Sequence, residues 1–216
     1  MIECVIFDLD GLMIDSEVIT RRVFSEEGKK LGFELDEKFF NGVIGTAKNS
    51  SKAQFERFPN LINSLDTIIE RRKEAVLYEA KNNPLFYKKG LFILLDYLFE
   101  NNYKVCVATS SFLDTTTKIL SAMPYQYNFD AICTGDMVTH HKPNPEVFLL
   151  AASKASVEPK KCLVLEDSRN GIIAAKNAEM TAAFIYDTIK PDDYIKSLFD
   201  YDLESLEDVI DVLKTY

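Results

Sequence analysis

The sequence predicts an α/β fold: a parallel sheet core with helices on both faces and an inserted α-helical cap domain. Three observations carry that expectation. Short apolar runs alternate with stretches of helical periodicity, the pattern of a parallel sheet covered on both sides. The first run ends in two aspartates and a glycine, Asp8-Leu9-Asp10-Gly11. The gap from that run to the second exceeds by far the roughly 2–6 residues of an ordinary βα connection.

Each element follows in order. Val5-Ile6-Phe7 forms the first, buried strand. Side chains alternate along a strand with period two, so Asp8 and Asp10 point the same way, and Gly11 opens the backbone at the carboxyl edge. Open α/β sheets bind ligands at that edge. Two carboxylates placed together repel unless a cation sits between them or one is protonated. From there to the second strand the spacing is helical. Val18/Ile19, Val23/Phe24 and Leu31 give one period, and Leu65, Ile68/Ile69, Arg72, Ala75/Val76 and Ala80 give another. The expected division is residues 1–14 and 84–216 as the core and 15–83 as a cap, placed as a lid beside the strand-end carboxylates.

The remaining strands are expected at Lys104–Ala108, Ala131–Cys133, Cys162–Leu165 and Ala182–Tyr186. Helices are expected at Leu91–Phe99, Asp114–Ala122, Glu146–Ala155 and Asn170–Ala178, with Asn144 as N-cap and Pro145 in the first turn of the third.

Polar residues stand where these strands end. The second ends in Thr109-Ser110-Ser111, and the fourth in Glu166-Asp167-Ser168. His140-His141-Lys142-Pro143-Asn144-Pro145 precedes the helix before the fourth strand. In a parallel sheet these ends converge on Asp8 and Asp10. Each has an ordinary explanation: a helix cap for Thr109, Ser111 or Glu166-Asp167, a solvated side chain for Lys142. Folding does not require them to occur jointly, and the acid-rich oxygen set suits Mg²⁺.

Bulk properties exclude several function classes. The chain has 216 residues, 47% of them apolar, and a net charge of −9. No basic run is present, which argues against nucleic acid as a partner, and an anion site must be built locally. No apolar stretch is long enough to cross a bilayer, and the N-terminus lacks a basic n-region, so no membrane association and a cytoplasmic location are expected. Cys4, Cys106, Cys133 and Cys162 form no CxxC pair and read as reduced core residues. The histidines, His140 and His141, are adjacent, which leaves little room for a histidine zinc site or a Ser-His-Asp triad.

Asp8-Leu9-Asp10-Gly11, Thr109-Ser110-Ser111, Lys142-Pro143 and Glu166-Asp167-Ser168 together resemble the four motifs of the haloacid dehalogenase superfamily. Asp15-Ser16-Glu17, Pro145 and Gly171 extend the likeness to its β-phosphoglucomutase and sugar-phosphatase branch, whose helical cap follows the first motif on a Rossmann-like core. The resemblance implies a Mg²⁺-dependent phosphatase acting on a small phosphorylated metabolite, a sugar phosphate by the branch it resembles, through an aspartyl-phosphate. Asp8 would be the nucleophile. Asp10 would carry the proton, which calls for a raised pKa, and its presence argues for phosphate over halide chemistry. Thr109, Ser110 and Lys142 would hold the phosphoryl group. Asp8, the Asp10 backbone carbonyl and Asp167 would hold the metal, with Glu166 beside it.

Lys48 stands where the mutase holds a second phosphate with an arginine, and it reads equally as a solvated helix lysine. Lys73 reads as a further cap contact or as part of a charged helix face. Thr20 replaces the mutase's cap histidine, which favours a phosphatase. A phosphosugar isomerase is the alternative. A phospho-aspartate signalling receiver is a third reading, disfavoured by the motif order and the long insertion. Oligomeric state is left open.

Overall fold

The computed structural model describes residues 1–43, 52–186 and 190–216. Its sheet contains β1 (Cys4–Phe7), β2 (Lys104–Ala108), β3 (Ala131–Cys133), β4 (Cys162–Glu166), β5 (Thr181–Ile185) and β6 (Tyr201–Leu203). The strands are all parallel, in the order β3-β2-β1-β4-β5-β6. The chain leaves β1 toward β2 on one side and later returns to β4 on the other. β1 therefore borders the switch point, where the ends of neighbouring strands diverge and open a crevice.

The helices are α1 (Ser16–Lys30), α2 (Glu37–Val43), α3 (Lys52–Glu56), α4 (Pro59–Asn63), α5 (Leu65–Asn82), α6 (Leu91–Glu100), α7 (Leu113–Ser121), α8 (Glu146–Ala155), α9 (Arg169–Asn177), α10 (Asp193–Lys196) and α11 (Val209–Leu213). Strand alternation sends β1 side chains to two cores. Val5 and Phe7 pack with Leu91, Leu94, Leu95 and Leu98 of α6 and with Val209 and Val212 of α11. Cys4 and Ile6 pack with Val147 and Phe148 of α8 and with Ile172 and Ala175 of α9. Helices thus cover both faces, as the sequence predicts. All four cysteines are reduced, buried and on the second face. No helix among the described residues is long and apolar enough to cross a membrane.

Two local expectations need correction. β6 was not expected: three residues with no buried member give no period to read, and Asp200 docks it by bonding Ala182 through both its backbone N–H and its carboxylate. Asn144 is not the N-cap of α8. Pro145 holds that position, and the Asn144 side chain accepts from the Glu146 N–H instead.

Helices α1 to α5 fall between β1 and β2, with no strand among the described residues of that span. The chain enters and leaves this insertion at one place. Asp15 N–H donates to Phe86 O at 2.8 Å, and Lys88 N–H donates to Met13 O at 3.0 Å. Helix α5 lies against α1 by its Ile68, Val76 and Ala80 stripe and reaches the core beside α7. The insertion therefore overhangs the carboxyl edge of β1.

Candidate active site

The strand-end residues of β1, β2 and β4 meet as the sequence predicts. Asp8 follows β1 and extends its ladder, with its N–H donating to Leu165 O. The Lys142 ammonium donates to Asp8 Oδ1 at 2.5 Å, to Glu166 Oε1 at 2.7 Å and to Ala108 O at 3.0 Å, and it sits 4.6 Å from the Phe148 ring centroid. All three charged residues are buried. Burial pushes the Asp8 carboxyl up to about 7, against the pull of Lys142. Burial works against the Lys142 charge, but the Asp8 and Glu166 carboxylates outweigh it and hold the ammonium above its ordinary range.

Glu166 is engaged at both oxygens. Its Oε2 accepts from the Asp167 and Ser168 N–H groups and from the Ser168 hydroxyl. Ser168 in turn caps α9 by accepting from Gly171 N–H at 3.0 Å. Gly171 is required there, since a Cβ would lie 1.8 Å from the Glu166 carboxyl carbon. Glu166, placed among the metal residues by resemblance, thus has its oxygens taken up in holding Lys142 and the β4–α9 turn.

Asp10 has its own cation. The Arg72 guanidinium of α5 donates to Asp10 Oδ1 at 2.8 Å, the Ser16 hydroxyl donates to the same oxygen at 2.7 Å, and the Ser111 hydroxyl donates to Oδ2 at 2.6 Å. Arg72 Nε also donates to Thr20 Oγ1 at 2.7 Å, and that hydroxyl donates to Ser16 O. Burial pushes Asp10 up, but the Arg72 charge and these hydrogen bonds prevail and hold it below the usual carboxylate range. The raised Asp10 pKa expected from its proton-carrying role is therefore not found in this arrangement, because an arginine 62 residues away bonds it. The repulsion between the aspartates is met by two protein cations, Lys142 for Asp8 and Arg72 for Asp10.

Other expected residues divide as follows. Thr109 is buried at the end of β2, with its hydroxyl accepting from Ser111 N–H at 3.1 Å. The Ser110 side chain is exposed, and its carbonyl lies so close to Gly135 that a Cβ there would come within 2.4 Å. Asp167 is buried against the turn after β1, where Gly11 has φ +88° and a Cβ would lie 2.2 Å from Asp167 Oδ2. Lys73 pairs with Asp114 of α7 at 3.2 Å. Lys48 lies outside the described residues.

Sequence reasoning missed Arg72, Ser16 and Ser111 as Asp10 partners. One signal was present: Arg72 occupies the inward stripe of α5 among Ile68, Val76 and Ala80, where an unpaired charge would be costly.

A family model described as haloacid dehalogenase-like hydrolase matches residues 5–185, which includes every one of these residues. The chain belongs to the haloacid dehalogenase-like hydrolases. Among similar members, the phosphorylated carbohydrates phosphatase of Thermotoga maritima is 27% identical over 98% of both chains. Hexitol phosphatase B of Escherichia coli is 30% identical, over 83% of this chain and 82% of its own. The solved β-phosphoglucomutase of Clostridium difficile superposes with a TM-score of 0.80 at 21% identity, covering 100% of this chain and 96% of its own, which shows the fold. The superfamily and branch read from the motifs are borne out, and the expected phosphoric monoester hydrolase agrees with haloacid dehalogenase-like relatives named as phosphatases.

Proposed function

We propose that this chain is a Mg²⁺-dependent phosphatase for a small phosphorylated carbohydrate, working through a phosphoryl group carried on Asp8. The observation that carries the reading is the separation of the two strand-end aspartates onto different cations. Asp8 is fixed by Lys142 from the core, whereas Asp10 is held by Arg72 from the insertion. One carboxylate is thereby built into the sheet, and the other is free to change partners when the insertion moves.

Asp8 attacks phosphorus in line, and the bond to the leaving oxygen breaks. A carboxylate and a phosphate oxygen about 4 Å apart repel by about 4 kcal/mol per charge pair at an effective dielectric of 20. Lys142 offsets part of this, since its ammonium already lies on Asp8 Oδ1. Thr109 and the backbone N–H groups near Ser110 supply donors to the phosphoryl oxygens. The donor chemistry fits Mg²⁺: the Asp8 carboxylate, the Asp10 carbonyl and Asp167 are hard oxygen ligands. An ion of this kind keeps several waters and needs few protein ligands. When bound, that ion would neutralise charge on the transferring group. Asp10 gives a proton to the leaving oxygen and then takes one from the water that hydrolyses the acyl-phosphate. For the first step it must be released from Arg72 and protonated, so substrate has to displace Arg72.

Residues 15–83 act in this reading as the cap, hinged where Met13, Asp15, Phe86 and Lys88 pair. Phosphatase is favoured over phosphosugar isomerase because Thr20 stands at the mutase's histidine position and is engaged by Arg72 and Ser16. The two named relatives, one a phosphatase of phosphorylated carbohydrates and one of hexitol phosphates by name, support the carbohydrate class.

The test is steady-state phosphate release from p-nitrophenyl phosphate and from a panel of sugar and hexitol phosphates with Mg²⁺. Turnover that disappears in Asp8→Asn, without a sugar bisphosphate forming, is the expected result. Activity surviving in Asp8→Asn would reject Asp8 as the nucleophile.

A further inference from the structure

Lys73 and Asp114 take no part in the chemistry above, yet they complete a ring of contacts around Asp10. Arg72 and Lys73 are successive residues of α5 and bridge to two different core elements. Arg72 reaches Asp10 after β1, and Lys73 Nζ reaches Asp114 Oδ2 at 3.2 Å, at the start of α7. Ser111, three residues before Asp114 in the loop that leads into α7, donates through its hydroxyl to the other oxygen of Asp10. The path from Asp10 through Arg72 and Lys73 to Asp114, and back through Ser111, is therefore closed.

We propose that Lys73 and Asp114 are a positioning pair: they register α5 on α7, which sets Arg72 and Ser111 on opposite oxygens of Asp10. The inference rests on the phosphatase reading, since it assigns the pair to that reaction. Helix α5 packs on α7 more closely than on any other core helix, so a slip there moves Arg72 directly. The pair is exposed enough to open: the Lys73 and Asp114 side chains keep 32% and 59% of their accessibility. Asp114 also receives Lys118, on Oδ1 at 2.8 Å and on the shared Oδ2 at 2.9 Å, a contact within α7 that does not reach α5 and so serves as the comparison.

The experiment measures kcat and KM for Lys73→Met, Asp114→Asn, the double variant, Lys73→Arg and Lys118→Met, using the best substrate of the panel. An exposed ion pair supports an effect of roughly two- to five-fold. Because Arg72 must leave Asp10 before the proton is given, Lys73→Met and Asp114→Asn are each expected to raise kcat by that factor, with unchanged thermal midpoints. The double variant should gain no more than either single one, because the same contact is removed. Lys73→Arg should return kcat most of the way to the wild type, which Lys118→Met should match. Raising NaCl should narrow the gap between the wild type and Lys73→Met, since screening weakens only an intact pair.

Multiplied gains in the double variant, an equal gain in Lys118→Met, or a lowered kcat in Lys73→Met would overturn the proposal. An active wild type with unaffected variants would also overturn it while leaving the phosphatase reading intact. No turnover by the wild type would reject that reading itself.

Discussion

Lys142 donates to three oxygens in a site closed to solvent, two of them carboxylate, so its loss strands two buried acids. Removing one member of a buried ionic group costs about 3–5 kcal/mol, because the remaining charges keep their desolvation penalty. Lys142→Met should lose that much stability in urea at pH 7, along with all turnover. Asp8 gives a pH prediction whose sign can be worked out. Its folded pKa, about 7, lies above its ordinary value of 3.8, so folding favours the neutral acid. Its contribution is complete below about pH 4 and is lost as pH rises through 7. Without Mg²⁺, the urea midpoint of Asp8→Asn should therefore gain on the wild type between pH 5 and pH 8. A constant difference would show that Asp8 does not titrate there. The carboxylates were legible in the sequence because they stand at strand ends, and the lysine because it stands in Lys142-Pro143 ahead of α8. Arg72 was not, because the contact that matters spans 62 residues and depends on how α5 lies over the sheet.

At the scale of elements, the site depends on the turns that follow β1 and β4. Gly11 takes φ +88°, a region costly for other residues, and its missing Cβ makes room for Asp167. Gly11→Ala should displace that carboxylate and raise the Mg²⁺ concentration for half-maximal activity about tenfold or more, as read from a metal titration. Ser168 links helix stability to the site, since it caps α9 and also bonds Glu166. Ser168→Ala should cost about 1 kcal/mol as a cap, measured by urea unfolding, and should lower turnover as well because Glu166 loses a donor. Most elements could be read from periodicity: α6, α7, α8 and α9 fall within a residue or two of expectation. The short edge strand β6 could not, because an unburied three-residue strand leaves no hydrophobic pattern. The long inward stripe of α5 was read correctly as a helix, but nothing local tells which core helix it meets.

For the whole molecule, net charge and site charge act in the same direction. A chain of net charge −9 that also gathers Asp8, Asp10 and Asp167 at one edge should be stabilised by a divalent cation out of proportion to ionic strength. A ligand at 100 times its Kd adds about 2.7 kcal/mol to the folded state. MgCl2 should therefore raise the thermal midpoint, EDTA should reverse the rise, and Asp167→Asn should abolish it, with NaCl of equal ionic strength as the comparison. The arrangement of the cysteines has a practical consequence. All four lie buried on one face of the sheet, while Tyr78 on α5 and Tyr125 beyond α7 are more than half exposed. Toward a thiol-reactive dye the folded chain should be silent, and it should yield its thiols only in denaturant. A cysteine introduced at each tyrosine would then accept a fluorophore pair without any native cysteine having to be removed. The distance between insertion and core could be followed, one molecule at a time, as substrate arrives and phosphate departs.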